Sequence, residues 1–355
     1  MAVYFINIIL IICLGFVFIH TSPSDAKKKV YCGIVAVQWI LLSGLRDYSV
    51  GNDTREYDKA FTVGFGTSWN TVLTNCWNYL LGRKIPVKDP GYYLLQKIFQ
   101  IFTDDYRMWL FFIAIVFTGL MARWIYKYSS MPDISFLVYS VLFFAFYSVT
   151  GHRQTLATAL IVFLGYEYAK KKELVKFAVV AFIAFMLHKS SLVFIIYYFF
   201  ANISITPIYV SIMLVVSVVI AAMGKQIYGP IATLLGFADE QVEYTGGGAE
   251  TYATVLVLLC IVTFCFYPWI KEKRRDAKYF YNMLFLTFIT TLLVYQNQSF
   301  MRIQQYFSLV IMITIPELIQ AFDKNYRVIP YLFVVVFLCA YFMRIQPQYS
   351  FFFMQ

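Results

Sequence analysis

Five polar residues lie at the edges of apolar runs, and their side chains suit acid–base and anion chemistry. They are Arg46, Asp53, Arg153, His188 and Arg302. Arginine forks hold multiply charged anions such as pyrophosphate, and an imidazole or carboxylate can activate a hydroxyl as a general base. Each residue alone has a plainer interpretation, such as a turn residue or an arginine that extends to the lipid headgroups. Together they predict a site for a polar substrate with a phosphate-type leaving group.

The stretch SVTGHRQTLATAL, residues 148–160, is the centre of this pattern. It places His152, Arg153 and Gln154 after Gly151 and between two apolar runs. We expect a helix to start here, with Arg153 and Gln154 in its first turn, where backbone N–H groups and a guanidinium can hold an anion. The alternative is a short loop whose arginine only reaches the headgroups.

The composition is that of a polytopic membrane protein. Of 355 residues, 61% are hydrophobic, 20% aromatic and only 14% charged, and the mean hydropathy is +0.67. The net charge of +10 is explained by Lys and Arg in cytoplasmic loops rather than by nucleic acid. The six cysteines show no CxxC pair or Cys/His spacing, so we expect no disulfide framework, metal or cofactor.

The apolar runs and the positive-inside rule predict one integral membrane domain over residues 1–355, with about eleven to twelve membrane segments and both ends outside. The first run is interpreted as a retained first span because it lacks a basic leader. The segments are approximately Val3–Ile19, Val30–Leu45, Met108–Tyr126, Ile134–Val149, Thr155–Ala169, Leu174–Leu187, Leu192–Ala201, Pro207–Met223, Tyr252–Ile270, Tyr279–Tyr295, Ile303–Phe322 and Val328–Phe342.

Two polar regions are predicted to face outward, residues 46–107 and residues 225–250. The first contains two amphipathic pieces, around Trp69–Leu81 and Tyr92–Phe102, which are expected to be helices at the membrane interface. The apolar stretch 174–201 is interrupted at His188. Dividing it there keeps every later basic loop inside and places all five polar residues at the outer face.

Short motifs also carry a family resemblance. They are Leu45-Arg46…Gly51-Asn52-Asp53…Tyr57, then Asp89-Pro90-Gly91-Tyr92, Arg153-Gln154-x-x-Ala157, His188-Lys189-Ser190 and the tail Pro347-Gln348-Tyr349. This series resembles the EpsG family of exopolysaccharide proteins, which are similar to Wzy-type O-antigen and capsule polymerases. The sequence departs from the family pattern at Lys189 and at His152, a second candidate base.

The resemblance implies a GT-C-like membrane glycosyltransferase that joins sugar repeat units carried on undecaprenyl pyrophosphate, with inversion and without a metal. Arg153, with Arg302 or Arg46, is expected to hold the pyrophosphate, and His188 or Asp53 to act as the base. Gln154, Tyr57 and His152 complete the predicted substrate-binding residues.

The expected location is the bacterial inner membrane, with the site facing the periplasm or cell exterior. The expected partners are the lipid-linked oligosaccharide, membrane lipids, and a flippase and chain-length regulator of the same pathway. Three alternatives remain open: an O-antigen ligase, a transporter or flippase of the lipid-linked oligosaccharide, and an acyltransferase. A transporter predicts polar residues along a path through the midplane, and the surplus of arginines argues against acyl transfer.

Overall fold

The computed structural model describes residues 2–21, 23–51, 53–235 and 248–354. In these ranges the chain is helical apart from turns and one isolated bridge between Arg46 and Phe351. Asn52 lies outside the described residues. Residues 236–247, within the second predicted outward region, also lie outside them. The fold is therefore that of an all-helical, multi-pass membrane protein, as the composition predicts.

Helices follow one another closely along the whole described chain. The first half contains α1 (Ala2–Gly15), α2 (Asp25–Gly44), α3 (Thr54–Gly66), α4 (Trp69–Leu80), α5 (Pro90–Phe99), α6 (Tyr106–Tyr128), α7 (Pro132–Val138), α8 (His152–Ile161) and α9 (Gly165–Lys170). The second half contains α10 (Leu174–Leu187), α11 (Ile195–Phe200), α12 (Pro207–Ala222), α13 (Gly224–Leu235), α14 (Gly248–Cys265), α15 (Tyr267–Lys273), α16 (Ala277–Val294), α17 (Met301–Ser308), α18 (Ile311–Ala321) and α19 (Val328–Ile345). Short 3₁₀ or π turns occupy Phe16–His20, Tyr139–Phe143, Ala145–Thr150, Lys189–Phe194, Gln298–Phe300 and Phe352–Met354.

By length and composition, four described helices suffice to cross a membrane. They are Ala2–His20, Tyr106–Tyr128, Ala277–Val294 and Val328–Ile345. Two further pairs, α12 with α13 and α14 with α15, are bent by 87° and 61°, and they raise the number to six if each pair is one span. The structure thus supports four to six candidate spans. The larger sequence-based count includes short apolar helices such as α10, which has only 14 residues.

The predicted outward region 46–107 is a folded helical unit. Both predicted amphipathic helices are present as α4 and α5, whereas α3 was not predicted because its sequence, TREYDKAFTVGFG, is strongly polar. The amide of Gln100 donates to the carbonyl of Phe61 over 2.6 Å and ties the end of α5 to α3. The region also packs on the membrane helices, since α5 contacts α10 and α3 contacts α6.

Local sequence explains where α4 and α6 begin. Ser68 caps α4 by accepting a hydrogen bond from the backbone N–H of Thr71 (3.2 Å). Asp105 caps α6 in the same way through the N–H of Arg107 (2.8 Å). Both caps satisfy N–H groups that the first helical turn leaves without partners.

The predicted break at His188 is confirmed. Helix α10 ends at Leu187, His188 is extended with φ of −162°, and a 3₁₀ turn begins at Lys189 before α11. The break holds His188 between two helices, where its side chain is free to turn toward α5. A continuous helix would have kept it on a single helical face.

The carboxyl-terminal tail returns to the start of region 46–107. The N–H of Asp47 donates to the carbonyl of Ser350 (2.8 Å), and the N–H of Phe352 donates to the carbonyl of Leu45 (3.2 Å). The guanidinium carbon of Arg107 lies 3.5 Å from the centre of the Phe352 ring. These contacts fix the backbone on both sides of Arg46.

Candidate active site

A polar cavity of about 350 Å³ opens where α3, α5 and α8 meet the break at His188. We call it the polar cavity. Its walls come from parts of the sequence that are far apart, which the packing of region 46–107 on the remaining helices brings together. It is lined by Asp53, Glu56, Tyr57, Ala60, Tyr93, Phe146, Gly151, Arg153, Gln154, His188 and Arg302.

Helix α8 begins as the sequence predicts, with Gly151 at its N-cap and Arg153 and Gln154 in its first turn. The Gln154 amide donates to the backbone carbonyl of Arg302 over 2.7 Å and to Oε1 of Gln305 over 3.3 Å. These bonds join α8 to α17. The two cavity-lining arginines therefore belong to one connected wall.

Asp89 is the centre of the site, although its side chain is almost entirely buried. Its Oδ2 accepts from Nδ1 of His188 over 2.8 Å and from Nη1 of Arg153 over 3.0 Å. Its Oδ1 accepts from the backbone N–H of Lys189 over 3.0 Å. Nε of Arg153 also donates to the hydroxyl of Tyr57 (3.4 Å), so the plane of the guanidinium is fixed at two points. We call Asp89, Arg153 and His188 the cavity cluster.

The sequence DPGY explains how Asp89 reaches this position. Asp89 is in the left-handed region, with φ of 53° and ψ of 63°, a conformation that Asp tolerates better than most residues. Pro90 then starts α5 with its φ already set. A Cβ on Gly91 would lie 2.6 Å from both Cβ and the carbonyl oxygen of Met186, so only glycine lets α5 approach the end of α10 this closely. That approach brings Asp89 to His188.

The charge of Asp89 determines which ring nitrogen of His188 carries a hydrogen atom. Burial by itself raises the pKa of Asp89, but the attraction of His188, its hydrogen bond and Arg153 outweigh burial and lower this pKa below its usual range. An ionised carboxylate can only accept hydrogen bonds, so Nδ1 of His188 carries the proton that it donates to Asp89. In the neutral imidazole, Nε2 is then the free base.

A second layer lies behind the cavity. Nη2 of Arg46 donates to Nε2 of His152 (2.8 Å), and Nδ1–H of His152 donates to the hydroxyl of Tyr106 (3.1 Å). Burial and the nearby Arg46 lower the pKa of His152 well below its ordinary value, so this imidazole is neutral. The ring of Tyr57 stacks on His152 with centroids 4.5 Å apart. The layer therefore supports Tyr57 and, through it, Arg153.

Arg46 is held by the backbone on two sides, since it also donates to the carbonyls of Ser43 and Val149. Gly51 makes this packing possible. Its φ is 100°, and a Cβ there would lie 2.8 Å from Val149 and 2.9 Å from the Val149 carbonyl oxygen. The spacing of Arg46 and Gly51 thus has a structural explanation in the contact with Val149.

The structure brings most of the predicted site residues to one cavity. Those that line it are Asp53, Tyr57, Arg153, Gln154, His188 and Arg302. Arg46 and His152 contact each other in the layer behind and are outside the lining. The surplus of arginines expected from the sequence is offset in the structure, because Glu56 and Asp53 share the cavity and Asp89 pairs with Arg153.

Asp89, Glu56 and Tyr93 are site residues that the sequence argument did not select. The Asp-Pro-Gly run was the available signal for Asp89, since it indicates a helix start with a constrained backbone. Among the described residues, no group of three or more His, Cys, Asp or Glu side chains could hold a metal ion.

Fold and site together define a class of protein: an all-helical, multi-pass membrane protein with a polar cavity that contains an aspartate-oriented histidine and two arginines. A family model matches residues 29–354, nearly the whole sequence, and the chain belongs to the EpsG family. Membership indicates a polymerase-like glycosyltransferase function in polysaccharide synthesis. Neither the curated proteins nor the solved structures contain a match to this chain.

Proposed function

We propose that the protein is a polysaccharide polymerase that joins undecaprenyl-pyrophosphate-linked repeat units, with inversion and without a metal, at the outer face of the bacterial inner membrane. The observation that carries the proposal is the cavity cluster, in which one buried carboxylate orients a histidine base and an arginine toward the same cavity. Family membership supports the chemical class of the substrate.

In the proposed reaction the acceptor sugar hydroxyl gives its proton to Nε2 of His188. The oxygen attacks the anomeric carbon of the donor, and the bond from that carbon to the pyrophosphate breaks. Undecaprenyl pyrophosphate leaves with its charge stabilised by Arg153 and Arg302. Asp89 keeps His188 in the required tautomer and stabilises the imidazolium that forms. Asp53, in the same cavity, is the alternative base.

Gln154 and Tyr57 position the arginines in this proposal, Gln154 through the Arg302 carbonyl and Tyr57 through Nε of Arg153. Arg46 and His152 belong to the second layer, behind the cavity lining. Their part is to hold Tyr57 and the backbone at Val149, so they act through other residues rather than by contact with the pyrophosphate.

The substrate is amphiphilic, and a second space beside the polar cavity suits its lipid tail. This groove has a volume of about 670 Å³ and shares Phe146 with the polar cavity. Most of the side chains that line it are aromatic or aliphatic, and Arg344 also lines it. Gln305 in the groove hydrogen-bonds to Gln154 in the cavity. We propose that the prenyl chain lies in the groove while the pyrophosphate reaches Arg153 and Arg302.

The proposed architecture is GT-C-like, with about eleven to twelve membrane segments when the short helices such as α10 are counted. The outward region 46–107 then lies on the periplasmic or exterior side, as the basic residues of the other loops favour. The proposed partners in the pathway are the flippase that delivers the lipid-linked unit and a chain-length regulator.

The test uses purified full-length protein in lipid nanodiscs, supplied with lipid-linked repeat units extracted from cells that lack the polymerase. We expect a ladder of oligomers that differ by one repeat unit, with or without EDTA, and no ladder from empty nanodiscs. Transfer to lipid A core without a ladder would assign the chain to the ligases. Movement of the unit across proteoliposomes without new glycosidic bonds would assign it to the transporters.

A further inference from the structure

Helix α4 carries a row of large apolar side chains that the described chain leaves largely exposed. The row consists of Trp69, Leu73, Trp77 and Leu80. These residues are between 42% and 62% exposed, and spacings of three and four residues put them on one side of the helix. Val72 and Cys76 form a second, buried side, and Thr74 is exposed on a third side. We call the exposed apolar row the α4 stripe.

Phe65, at the end of α3, extends the stripe, and Lys97 lies beside both. The Lys97 ammonium is 5.8 Å from the centre of the Phe65 ring and 5.9 Å from that of Trp69. It also donates to the carbonyl of Phe65 over 2.7 Å. Exposed aromatic rings with a lysine ammonium at their edge are typical of a membrane–water interface, where the rings enter the bilayer and the charge stays in water.

The packing of α4 on α10 places the stripe beside an apolar helix. The ring of Tyr79 stacks on Phe185 of α10 with centroids 5.1 Å apart. The sequence of α10, LVKFAVVAFIAFML, is apolar apart from one lysine, and its Phe182 and Ile183 are 51% and 45% exposed. In a multi-pass membrane protein such side chains face lipid. Because Phe185 is in the last turn of α10, α4 lies at the end of an apolar helix, where the hydrocarbon gives way to the headgroups.

The charge around α4 suits phospholipid headgroups. Residues 65–102 include four basic side chains and a single acidic one. The basic residues are Arg83, Lys84, Lys88 and Lys97. The acidic residue, Asp89, is already paired with Arg153 and His188. Interfaces between proteins are depleted of lysine, whereas lysine and arginine beside an apolar helix face favour an anionic membrane surface. The charges therefore favour lipid over a protein partner.

We propose that the α4 stripe, together with Phe65, inserts at the boundary between headgroups and acyl chains and anchors region 46–107 to the bilayer surface. The proposal assigns the lipid-facing side of a helix that the sequence predicts to be interfacial. This placement does not depend on the polymerase reaction. Its consequence for the site rests on the proposed function: α4 packs on α5, which follows Asp89, so the anchor keeps the polar cavity near the headgroups, where the pyrophosphate of a lipid-linked substrate lies.

The experiment compares two cysteine variants of the full-length protein, Leu73→Cys and Thr74→Cys. Both positions are exposed in the fold, but only Leu73 belongs to the stripe. Each variant is placed at one copy per nanodisc of phosphatidylcholine and phosphatidylglycerol and treated with a charged, water-soluble maleimide. Tandem mass spectrometry measures the labelling at each position, so the native cysteines stay in place. We expect Thr74→Cys to react roughly tenfold faster or more, because the stripe must leave the lipid before the reagent reaches position 73.

Brominated acyl chains in the same nanodiscs give a second measurement. They should quench the tryptophan emission of wild-type protein more than that of a variant with both Trp69→Phe and Trp77→Phe, because bromine quenches only the indoles that it reaches. Equal labelling of the two cysteine variants would overturn the anchor and leave the stripe open to water or to a protein partner. Equal quenching of wild type and the double variant would overturn it as well. Neither measurement uses ladder formation, so failure of the polymerase proposal is distinguishable from failure of the anchor.

Discussion

Two clusters in this protein have nearly the same ionic chemistry but very different surroundings. In the cavity cluster, Asp89 binds Arg153 and His188 beside an open polar cavity. In the second, Oδ2 of Asp276 lies 2.8 Å from the Lys170 ammonium and Oδ1 lies 2.7 Å from Nε of Arg274. Arg274 also pairs with Glu317. We call this second group the ion-pair cluster.

The ion-pair cluster is covered in part by aromatic rings, and its Lys170 and Asp276 side chains are 25% and 28% exposed. The guanidinium carbon of Arg274 lies 4.4 Å from the centre of the Phe280 ring, and the Lys170 ammonium lies about 5 Å from the rings of Tyr128 and Tyr279. None of the cavities described above is lined by its four charged residues. Ion pairing alone therefore does not identify a site in a membrane protein. An adjoining cavity and a constrained backbone, as at Asp89, are the distinguishing features.

The largest expected effect comes from the histidine of the cavity cluster. His188→Ala should reduce chain growth by about 10²–10⁴-fold, because the proposed base is removed while Arg153 and Arg302 remain. His20→Ala is the matched control, since Nε2 of His20 lies 2.8 Å from Oδ2 of buried Asp133 in another His–Asp pair. Ladder formation by both purified variants, at equal protein amounts, measures the difference.

Asp53→Asn decides between the two candidate bases, because it keeps the shape of the side chain and removes its basicity. It should retain most of the activity if His188 is the base. An inactive Asp53→Asn protein together with long polymer from His188→Ala would reverse the two roles. Normal polymer from both variants would mean that neither side chain is the required base.

The next effect concerns the arginines. Arg153→Lys keeps the charge but loses the planar fork held by Asp89 and Tyr57, so we expect polymer synthesis to fall about 10²-fold with a normal protein level. Arg274→Lys should do the opposite, lowering stability by ~1 kcal/mol with little change in activity per folded molecule. Thermal unfolding and ladder assays on both proteins test this contrast. Equal activity losses would remove the distinction between the clusters.

A smaller effect is expected from Gly91→Ala, which tests how α5 positions Asp89. The added Cβ would collide with Met186, displacing α5 and loosening the bonds to His188. We expect roughly a tenfold loss of activity and ~1–3 kcal/mol of destabilisation. Gly119→Ala is the control, because no heavy atom lies within 4 Å of the added Cβ and alanine favours a helix. Wild-type activity in Gly91→Ala would show that the close approach is unnecessary.

The sequence predicts local features of the site better than its long-range contacts. The start of α8, with Arg153 and Gln154 in its first turn, follows from Gly151 and the polar residues after it. The break at His188 follows from charge placement along the chain. The first depends on neighbouring residues, and the second on a rule for the side of the membrane that basic loops occupy; both can be applied without knowing how the helices pack.

The central role of Asp89 depends on distant parts of the chain. It is 64 residues from Arg153 and 99 from His188, and its burial is visible only once α5 packs on α10. The position of Arg46 was missed for the same reason, since its partners Val149 and His152 are more than 100 residues away. Helix α3 was missed because charged and polar residues dominate its first half, and the partner that buries Phe61, Trp109, lies in another helix.

The smallest expected effect is on the pH dependence of stability, which should be similar for the two clusters. Burial raises the pKa of Asp276, but Arg274 and Lys170 outweigh burial and lower it, as His188 and Arg153 do for Asp89. A carboxyl whose folded pKa is lowered stabilises the fold above its unfolded pKa of about 3.9, and this stabilisation is lost as the pH falls through the folded pKa.

We therefore expect Asp89→Asn and Asp276→Asn each to lower the melting temperature at pH 7, and both differences from wild type to shrink as the pH falls below about 4. Only Asp89→Asn should also reduce ladder formation at pH 7, because only Asp89 orients a base on a cavity. Thermal unfolding from pH 7 to pH 3, with activity measured at pH 7, tests both statements. A melting difference for Asp89→Asn that persists undiminished at acid pH would mean that Asp89 stabilises the fold through its backbone conformation rather than through its charge.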